Sequence, residues 1–254
     1  MTRTNTKWTR IYANGYDIGG AVNKIGTVGR TMDAPKGAAL TDEVMNTVLG
    51  RADIVCGPLN AFLQAGATDI HERMKSAEGT YNVMIPFGIN GEPAVGNPVF
   101  AACMEQGEYT ADGADGILGV NISFPGASYS SVKGYINPFG LLVHAKAART
   151  AANTAVATID NGAASAKGGV FVYQLFSSDD AVTLSIDDSE TNADNASFAA
   201  LSGATSGSID ASVTPKSGMI ALATDATVRQ YLRWQIAMGS ATTATFALAF
   251  IRGV

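Results

Sequence analysis

The sequence predicts a mainly β protein, and three observations lead to that prediction. Hydrophobic residues make up 46% of the 254 residues, enough to bury a core, and no long helical pattern is present. Short apolar runs alternate with polar residues along much of the chain, as in half-buried strands. Clusters of Gly, Asn, Asp and Ser separate these runs and are typical of turns between strands.

The first part of the chain, residues 1–149, opens with a predicted hairpin. Asn14-Gly15 lies between two short β-prone runs, and both residues tolerate the positive φ angles that a tight hairpin turn needs. A strand is predicted over residues 52–63, where Pro58 cannot donate a ladder hydrogen bond. We therefore expect this strand to be bent or to lie at an edge. Further strands are predicted over residues 81–87, 99–104, 116–124, 133–136 and 141–144.

One helix is predicted beside these strands, over residues 68–77. Thr68 is a suitable cap, and Ile70, Met74 and Ala77 fall on one helical face. Residues 32–50 are open to two interpretations, a short helix starting near Thr41 or a long loop with helical character.

The second part of the chain predicts a β-sandwich of about 100 residues, Ig-like or jelly-roll-like. The Ala- and Thr-rich stretch 145–157 is interpreted as a linker or a first edge strand. Regular short strands then follow without a long helix. This texture predicts a division into domains 1–149 and 150–254, with strands over residues 170–176, 181–186, 206–212, 218–223, 228–238 and 242–251.

The charge content is low for a soluble protein. Only 15% of residues are charged, against about 25% in an average soluble domain, and the net charge is −5. This composition excludes a disordered chain and argues against a basic nucleic-acid reader. It suggests that copies of the chain cover much of its surface. Residues 151–254 carry five basic and nine acidic residues, so they hold −4 of the net charge.

No constellation in the sequence predicts catalysis, and we expect no enzyme activity, cofactor or metal. Cys56 and Cys103 lie in apolar runs without metal-ligand spacing and are expected to be buried free thiols. His71 and His144 are too few for a catalytic triad or a histidine metal site, and a structural or solvent-facing role is expected. No apolar run approaches the about 20 residues of a membrane-spanning helix.

The acidic and aromatic residues also favour structural interpretations. Residues 187–190, with Asp194 nearby, form the densest acidic cluster, but they lack the glycine and closing glutamate of a calcium loop. A solvated hairpin turn is expected there. Glu105 and Glu108 give only a weak indication of a glycosidase pair. Trp234 lies in an apolar strand and is expected to pack in the core rather than to bind a sugar.

Two stretches of sequence resemble a known family. The first is KWTRIYANGYDIGG at residues 7–20, followed by IGTVGRTMDAP. The second is TVRQYLRWQIAMGSATTATFALAFIRG at residues 227–253, preceded by ATIDNGAASAKGGVFVYQLF. Together they resemble the tail tube (major tail) proteins of long-tailed bacteriophages. The resemblance extends over most of the chain and consists of texture and strand-ending patterns rather than of a catalytic signature.

This resemblance implies a fold, a function and a set of partners. The fold would be a tail-tube-type β-sandwich with a flanking helix, followed by the second sandwich on the outside of the tube. Copies would form stacked hexameric rings through which DNA leaves the capsid, in contact with tape measure, terminator and tail tip proteins. The chain would assemble in the host cytoplasm and reside in the virion, with no membrane partner.

The resemblance also implies which residues meet neighbouring copies. Residues 1–10 match an N-terminal arm, and residues 30–51 are the candidate for the loop that reaches an adjacent ring. Inter-subunit contacts are expected at Trp8, Arg10, Arg30, Met32, Pro35, Val44, Met45, Val48 and Leu49.

Two alternatives remain open at this stage. One is a capsid decoration protein or other virion-surface adhesion protein that uses the second sandwich. The other is a carbohydrate-binding module or secreted hydrolase, in which Trp8 or Trp234 would contact a glycan.

Overall fold

A computed structural model describes residues 6–32, 36–37, 46–47, 52–64, 66, 69–75, 79–114, 117–127, 137–153 and 159–253. These residues form mostly antiparallel strands, so the mainly β class predicted from the sequence is confirmed.

The first part of the chain contains twelve strands and one helix among the described residues. A short 3₁₀ turn, Thr6–Trp8, precedes them, and helix α1 spans Ile70–Met74. The strands are β1 (Tyr12–Ala13), β2 (Tyr16–Asp17), β3 (Val22–Met32), β4 (Lys36–Gly37), β5 (Asn46–Thr47), β6 (Ala52–Phe62), β7 (Thr80–Pro86), β8 (Pro98–Glu105), β9 (Glu108–Ala114), β10 (Ile117–Phe124), β11 (Gly126–Ala127) and β12 (Phe139–Arg149).

The second part adds nine strands in the described residues. A second 3₁₀ turn, Asn195–Ser197, lies between two of them. The strands are β13 (Ile159–Asp160), β14 (Ser165–Ala166), β15 (Gly169–Ser178), β16 (Ala181–Ser189), β17 (Ala199–Asp210), β18 (Lys216–Ala221), β19 (Thr227–Val228), β20 (Tyr231–Ala237) and β21 (Ala244–Arg252).

Three sheets organise these strands. The central sheet has nine strands in the order β18-β15-β21-β12-β8-β7-β1-β2, with β11 beside β8. The N-terminal sheet has the order β3-β6-β10-β9, and the C-terminal sheet has the order β13-β20-β16-β17. Two small two-stranded ladders, β14-β19 and β4-β5, complete the described pairings.

The central sheet curls into a half-barrel and has a hydrophobic core on each of its faces. Its concave face encloses an apolar cluster drawn from strands of that sheet alone, including Met84, Val172 and Ala249. Two other sheets pack on different parts of its convex face. The N-terminal sheet and α1 pack on β7 and β8, and the C-terminal sheet packs on β12, β15 and β21. Alternating side chains along each strand therefore point into different cores.

A polar seam joins the two ends of the half-barrel. The Gln174 side chain of β15 accepts a hydrogen bond from the Gly15 amide at 2.6 Å and donates one to the Asn82 carbonyl at 2.7 Å. Asn82 Nδ2 in turn donates to Ser217 Oγ of β18 at 3.1 Å. Gln174 is fully buried, so these two backbone groups, rather than solvent, satisfy its side-chain amide.

The hairpin predicted at Asn14-Gly15 is confirmed. β1 and β2 are joined by these two residues alone, with φ angles of 49° and 81°. Positive φ at both central positions is the type I′ geometry, whose twist matches that of the flanking strands. The turn abuts Pro215, which lies where a side chain on Gly15 would extend.

The structure narrows three predictions. The described helix covers only residues 70–74 of the predicted 68–77; the remainder lies partly outside the described residues. β6 is an interior strand between β3 and β10, and its register with β10 shifts beside the cis Gly57-Pro58 peptide, so of the two predicted alternatives the structure agrees with an irregular strand and not with an edge. Residues 145–149 are the end of strand β12, where β21 is the recorded partner and the pairing with β8 has ended at Leu141, so of the two predicted alternatives the structure agrees with an edge strand for these residues and not with a linker.

The predicted division at residues 149/150 falls at the end of β12. The central sheet contains strands from both sides of this division, since β12 pairs with β8 from the first part and with β21 from the second.

Within the stretch 32–50, β4 pairs with β5. Most of that stretch lies outside the described residues, as does the strand predicted over residues 133–136.

Candidate interaction surfaces

The residues predicted to contact neighbouring copies fall into two groups. Trp8, Arg10 and Arg30 are described with their side chains, and Met32 is described as the last residue of β3. The others, Pro35, Val44, Met45, Val48 and Leu49, lie outside the described residues. The structure therefore places one end of the predicted contact set at the N-terminal segment and the other along β3.

The N-terminal segment is held against its own chain. The Trp8 carbonyl accepts a hydrogen bond from the Gly88 amide at 3.0 Å, and the Arg10 amide donates to the Pro86 carbonyl at 3.2 Å. The Arg10 guanidinium also forms an ion pair with Glu92. Trp8 is half-buried, and the Lys7 ammonium lies 4.7 Å from the centroid of its indole ring. Trp8 and Arg10 thus anchor this segment beside β7.

The N-terminal sheet has one apolar face and one polar face. Leu59, Val120 and Ile122 point into the core that this sheet shares with β7 and β8. Their neighbours along the strands point the other way, because side chains alternate across a strand. The registers place Lys24, Asn60, Asn121 and Thr110 side by side in one row on the outer face.

Hydrogen bonds between side chains connect the strands on this polar face. Asn60 Nδ2 donates to Asn121 Oδ1 at 2.7 Å, between β6 and β10. Ser123 Oγ donates to Glu108 Oε2 at 3.4 Å, between β10 and β9. Phe62, 43% exposed at the end of β6, and Val55 earlier in the same strand add apolar side chains to this face. The polar face therefore presents mainly amide, hydroxyl and single charged groups.

Both edges of the N-terminal sheet are open in the described part of the chain. β3 pairs with β6 alone, and β9 pairs with β10 alone. A cleft of about 210 Å³ runs along the start of β3, between it and the N-terminal segment, and Lys7, Arg10 and Lys24 contribute to its lining. An open edge of eleven residues offers unpaired backbone groups for pairing with another strand.

Sequence reasoning identified the alternation of β10 but missed the two edges. β3 pairs with β6, about thirty residues later, whereas β9 pairs with the strand that follows it, and no local pattern shows that neither has a second partner in the sheet. One signal was present: β3 contains Lys24 and Arg30 and no acidic residue, whereas β9 contains Glu108 and Asp112 and no basic residue.

The acidic cluster at residues 187–190 is not the solvated turn predicted from the sequence. Asp187, Asp188 and Ser189 are buried at the end of strand β16. Two oppositely charged partners from distant sequence explain their burial. Asp187 accepts hydrogen bonds from Arg233 Nε and Nη2 at 3.0 and 2.8 Å, and Asp188 accepts one from the Arg229 amide at 2.9 Å. Burial nevertheless raises the pKa of Asp188 above its ordinary value.

The two histidines make structural contacts, in agreement with one of the roles predicted for them. His144 is buried against Trp234 and Phe246, and its Nε2 accepts a hydrogen bond from Arg149 Nε at 2.8 Å. Burial and the nearby guanidinium lower the pKa of His144 to about 4, so the ring is neutral at pH 7. His71 Nδ1 lies 2.7 Å from the hydroxyl of Tyr109.

The predictions for the cysteines and for Trp234 are confirmed. Cys56 and Cys103 are buried free thiols, and burial raises the pKa of Cys56 to about 12. Trp234 is 7% exposed within the core between the central and C-terminal sheets. In the described residues, no group of three or more His, Cys, Asp or Glu side chains is placed to hold a metal ion. The helix in the described ranges is too short to cross a membrane.

Comparisons with known proteins give a limited result. No protein-family profile matches the sequence, and no curated protein matches it. Among solved structures, the Dit (gp 19.1) protein of phage SPP1 is similar over 96% of this chain and 98% of that chain, with 12% sequence identity and a TM-score of 0.30. That protein is described as a hub of the adsorption apparatus in phages that infect Gram-positive bacteria. A TM-score this low does not establish a shared fold.

Proposed function

We propose that this chain is a structural protein of a long-tailed bacteriophage virion, a subunit of the tail tube. In this proposal the copies form hexameric rings, the rings stack into a hollow tube, and DNA passes through the lumen during ejection. The proposal rests on the sequence resemblance carried by residues 7–20, 25–35, 157–176 and 227–253, and on the geometry of the N-terminal sheet. It assigns the chain no catalytic activity.

The observation that carries the proposal is the form of the N-terminal sheet. It is packed on one face, polar on the other and open at both edges in the described residues. Sheets of this form can join edge to edge between copies, and closure of the ring removes the exposed edges. Head-to-tail contacts of this kind generate a ring when the rotation between copies closes.

The polar face suits the wall of a conduit for DNA. A protein that holds DNA tightly neutralises its phosphates with clustered Lys and Arg. The polar face instead presents Asn60, Asn121 and Thr110 beside single charges of both signs, Lys24 and Glu108. DNA would therefore meet hydrated amides and hydroxyls and would slide past without being retained.

The low charge of the whole chain agrees with the same proposal. Surfaces buried between copies need fewer charged residues than the surface of a monomer. The acidic second part would lie outside the tube, and the tube would contact tape measure, terminator and tail tip proteins in the virion. Residues 30–51 are the segment we propose to reach the adjacent ring.

Electron microscopy of the purified protein tests the proposal directly. Negatively stained samples across a range of concentrations should contain six-fold rings or tubes with a central channel. A chain that stays a monomer at every concentration, together with parent virions whose tails do not react with an antibody against it, would refute the proposal.

Antibody labelling of virions also separates the alternatives. Labelling along the tail supports a tube subunit, whereas labelling of the head identifies a capsid decoration protein. Labelling confined to the tail tip would indicate a hub. Binding to a glycan array that is lost in Trp8→Ala would instead identify a carbohydrate-binding module; Trp234 is buried and cannot serve as the platform.

The N-terminal arm can be tested separately from the fold. Residues 8–10 hydrogen-bond to residues 86–88, so their removal would disturb the chain itself. Deletion of residues 1–5 leaves every described contact in place. This shorter truncation is expected to retain the wild-type melting temperature and to lower the yield of tubes; an unchanged yield would show that these residues do not join rings.

A further inference from the structure

The chain contains three Asn-Gly sequences, at residues 14–15, 90–91 and 161–162. Asparagine is chemically labile before glycine, because glycine has no side chain to hinder attack of its own amide nitrogen on the side-chain carbonyl of the asparagine. The attack requires the asparagine side chain and the following amide to move together. In a folded chain it therefore proceeds where neither group is held, and elsewhere it waits for local opening.

The asparagine at the hairpin turn is held on every side. Asn14 Oδ1 accepts a hydrogen bond from the Asn82 amide at 2.8 Å, and Asn14 Nδ2 donates one to the Thr80 carbonyl at 3.3 Å. The attacking group, the Gly15 amide, donates to the buried Gln174 side chain at 2.6 Å. Reaction at Asn14 would have to break these contacts and open the seam of the half-barrel.

The asparagine that follows β13 is held by its backbone. The Asn161 amide donates to the Gln230 carbonyl at 2.8 Å, and the Asn161 carbonyl accepts a hydrogen bond from the Arg252 guanidinium. The Gly162 amide donates to Asp160 Oδ1 at 2.9 Å. Asn161 Nδ2 has no hydrogen-bond partner among the described residues, but it is buried, so the side chain is enclosed. The attacking amide is again engaged.

The third asparagine lies in the loop between β7 and β8 and is held by no such contact. Asn90 is exposed and has a φ angle of 65°, a left-handed conformation that asparagine adopts more readily than most residues. Among the described residues, neither its side chain nor the Gly91 amide makes a hydrogen bond. A Cβ atom on Gly91 would meet no atom within 4 Å. These two residues can therefore rearrange at little cost.

We propose that Asn90 is a site of spontaneous deamidation, at which the chain is converted to aspartate and isoaspartate. The Gly91 nitrogen loses its proton and bonds to Cγ of Asn90, the Cγ–Nδ2 bond breaks, and ammonia leaves with that proton. Water then opens the resulting succinimide ring at either carbonyl. Each event consumes one water, releases one ammonia and adds one negative charge. The inference goes beyond the proposed function and does not depend on it.

The position of Asn90 links this modification to the N-terminal segment. The Gly88 amide donates to the Trp8 carbonyl at 3.0 Å, and the loop turns so tightly that a side chain on Gly88 would overlap the Gly91 carbonyl oxygen. Isoaspartate adds one atom to the main chain just before Gly91, so it displaces that carbonyl. We therefore expect the modified loop to hold the N-terminal segment less firmly.

Peptide mapping of the aged protein tests the site. The folded full-length chain is kept in mildly alkaline buffer, because loss of the Gly91 amide proton starts the reaction, and is then digested for mass spectrometry with isoaspartate detection. Conversion at Asn90 should be at least about tenfold faster than at Asn14 or Asn161, where hydrogen bonds must open first. Equal conversion at the three positions, or faster conversion at either of the others, would overturn the proposal.

Unfolded protein provides the first control. In urea the three Asn-Gly sequences should react at similar rates, since the contacts that distinguish them are gone. If Asn90 kept its advantage in urea, the local sequence and not the fold would be responsible, and the structural argument would fail.

The variant Gly91→Ala provides the second control. It should fold with the wild-type melting temperature, because the space around Gly91 is open. Conversion at Asn90 should slow at least about tenfold, because the new side chain hinders the attacking nitrogen. An unchanged rate in the folded variant would mean that the residue 91 amide is not the nucleophile, which contradicts the mechanism.

Hydrogen exchange tests the consequence for the N-terminal segment. Amides of residues 7–12 should exchange faster in aged wild-type protein than in fresh protein, whereas aged and fresh Gly91→Ala should match. Conversion at Asn90 without a change in this exchange would show that the loop does not transmit the modification to the segment.

Discussion

Removing one partner of the buried Asp187–Arg233 pair is expected to destabilise the chain far more than removing both. Arg233→Met eliminates two charge-assisted hydrogen bonds, from Nε at 3.0 Å and from Nη2 at 2.8 Å, and leaves a carboxylate whose side chain is only 12% exposed. Hydrogen bonds to charged groups contribute about 1.5–3 kcal/mol each, and breaking a buried ion pair costs about 3–5 kcal/mol. We expect a loss of about 4 kcal/mol in the free energy of unfolding.

The double variant Asp187→Leu/Arg233→Met leaves no unpaired charge. Replacing both members of a buried pair with apolar side chains is often neutral, so its loss should be only about 1–2 kcal/mol, which comes from the lost contacts of Arg233 with Asn195 and Phe198. Arg229→Met is the matched control. Its guanidinium contacts Asp188 at 3.4 Å from a side chain that is 40% exposed, and the backbone hydrogen bond remains, so its loss should stay below about 1 kcal/mol.

Urea unfolding followed by tryptophan fluorescence and by circular dichroism measures these differences, since Trp234 is adjacent to Arg233 in β20. Equal losses in Arg233→Met and Arg229→Met would refute the reasoning. So would a double variant whose loss equals the sum of the two single losses at positions 187 and 233, because additivity would mean that the two side chains do not interact.

Three further measurements examine the cores and the seam. Trp234→Ala should lower the free energy of unfolding by about 3–5 kcal/mol, and a loss below about 1 kcal/mol would place the indole outside the core. His144 is neutral in the folded state down to about pH 4, whereas an unfolded histidine binds a proton below about pH 6.5, so the free energy of unfolding falls as the pH falls between these values. From pH 7 to 5 the wild type should lose about 2 kcal/mol more than His144→Gln. Parallel stability curves for the two proteins would contradict this. Gln174→Leu should cost about 2 kcal/mol in urea unfolding, because it leaves the Gly15 amide unsatisfied and removes one of the two hydrogen bonds that the Asn82 carbonyl accepts, the other coming from the Asn14 amide at 3.3 Å. Equal stability of Gln174→Leu and the wild type would mean that water replaces the seam.

The features that the sequence predicted correctly are those set by neighbouring residues. Asn14-Gly15 determines its turn through its own backbone preferences, and the alternation around Val120 and Ile122 marks one buried face of a strand. Trp234 was expected in the core because its strand is apolar throughout. None of these features depends on a partner that is far away in the sequence.

The features that were missed depend on distant partners. Asp187 and Asp188 look like a turn until Arg233 and Arg229, more than forty residues later, are placed beside them. Ala147 and its small neighbours have little pattern of their own, and they are held as a strand by pairing with β21, about a hundred residues later. The same reason applies to the polar face. Its composition is visible in the sequence, but the rows that bring Lys24 and Asn121 together are a matter of register.

The position of β21 in the central sheet determines when that sheet can be completed. β21 follows the other strands of this sheet in the sequence, and it lies between β12 and β15 rather than at an edge. The half-barrel therefore acquires its full set of hydrogen bonds only after β21 has been synthesised. Such late, long-range pairing slows folding and leaves β12 and β15 exposed as unpaired edges during synthesis. A chain made in many copies would then be most prone to aggregation while nascent, before β21 fills the gap.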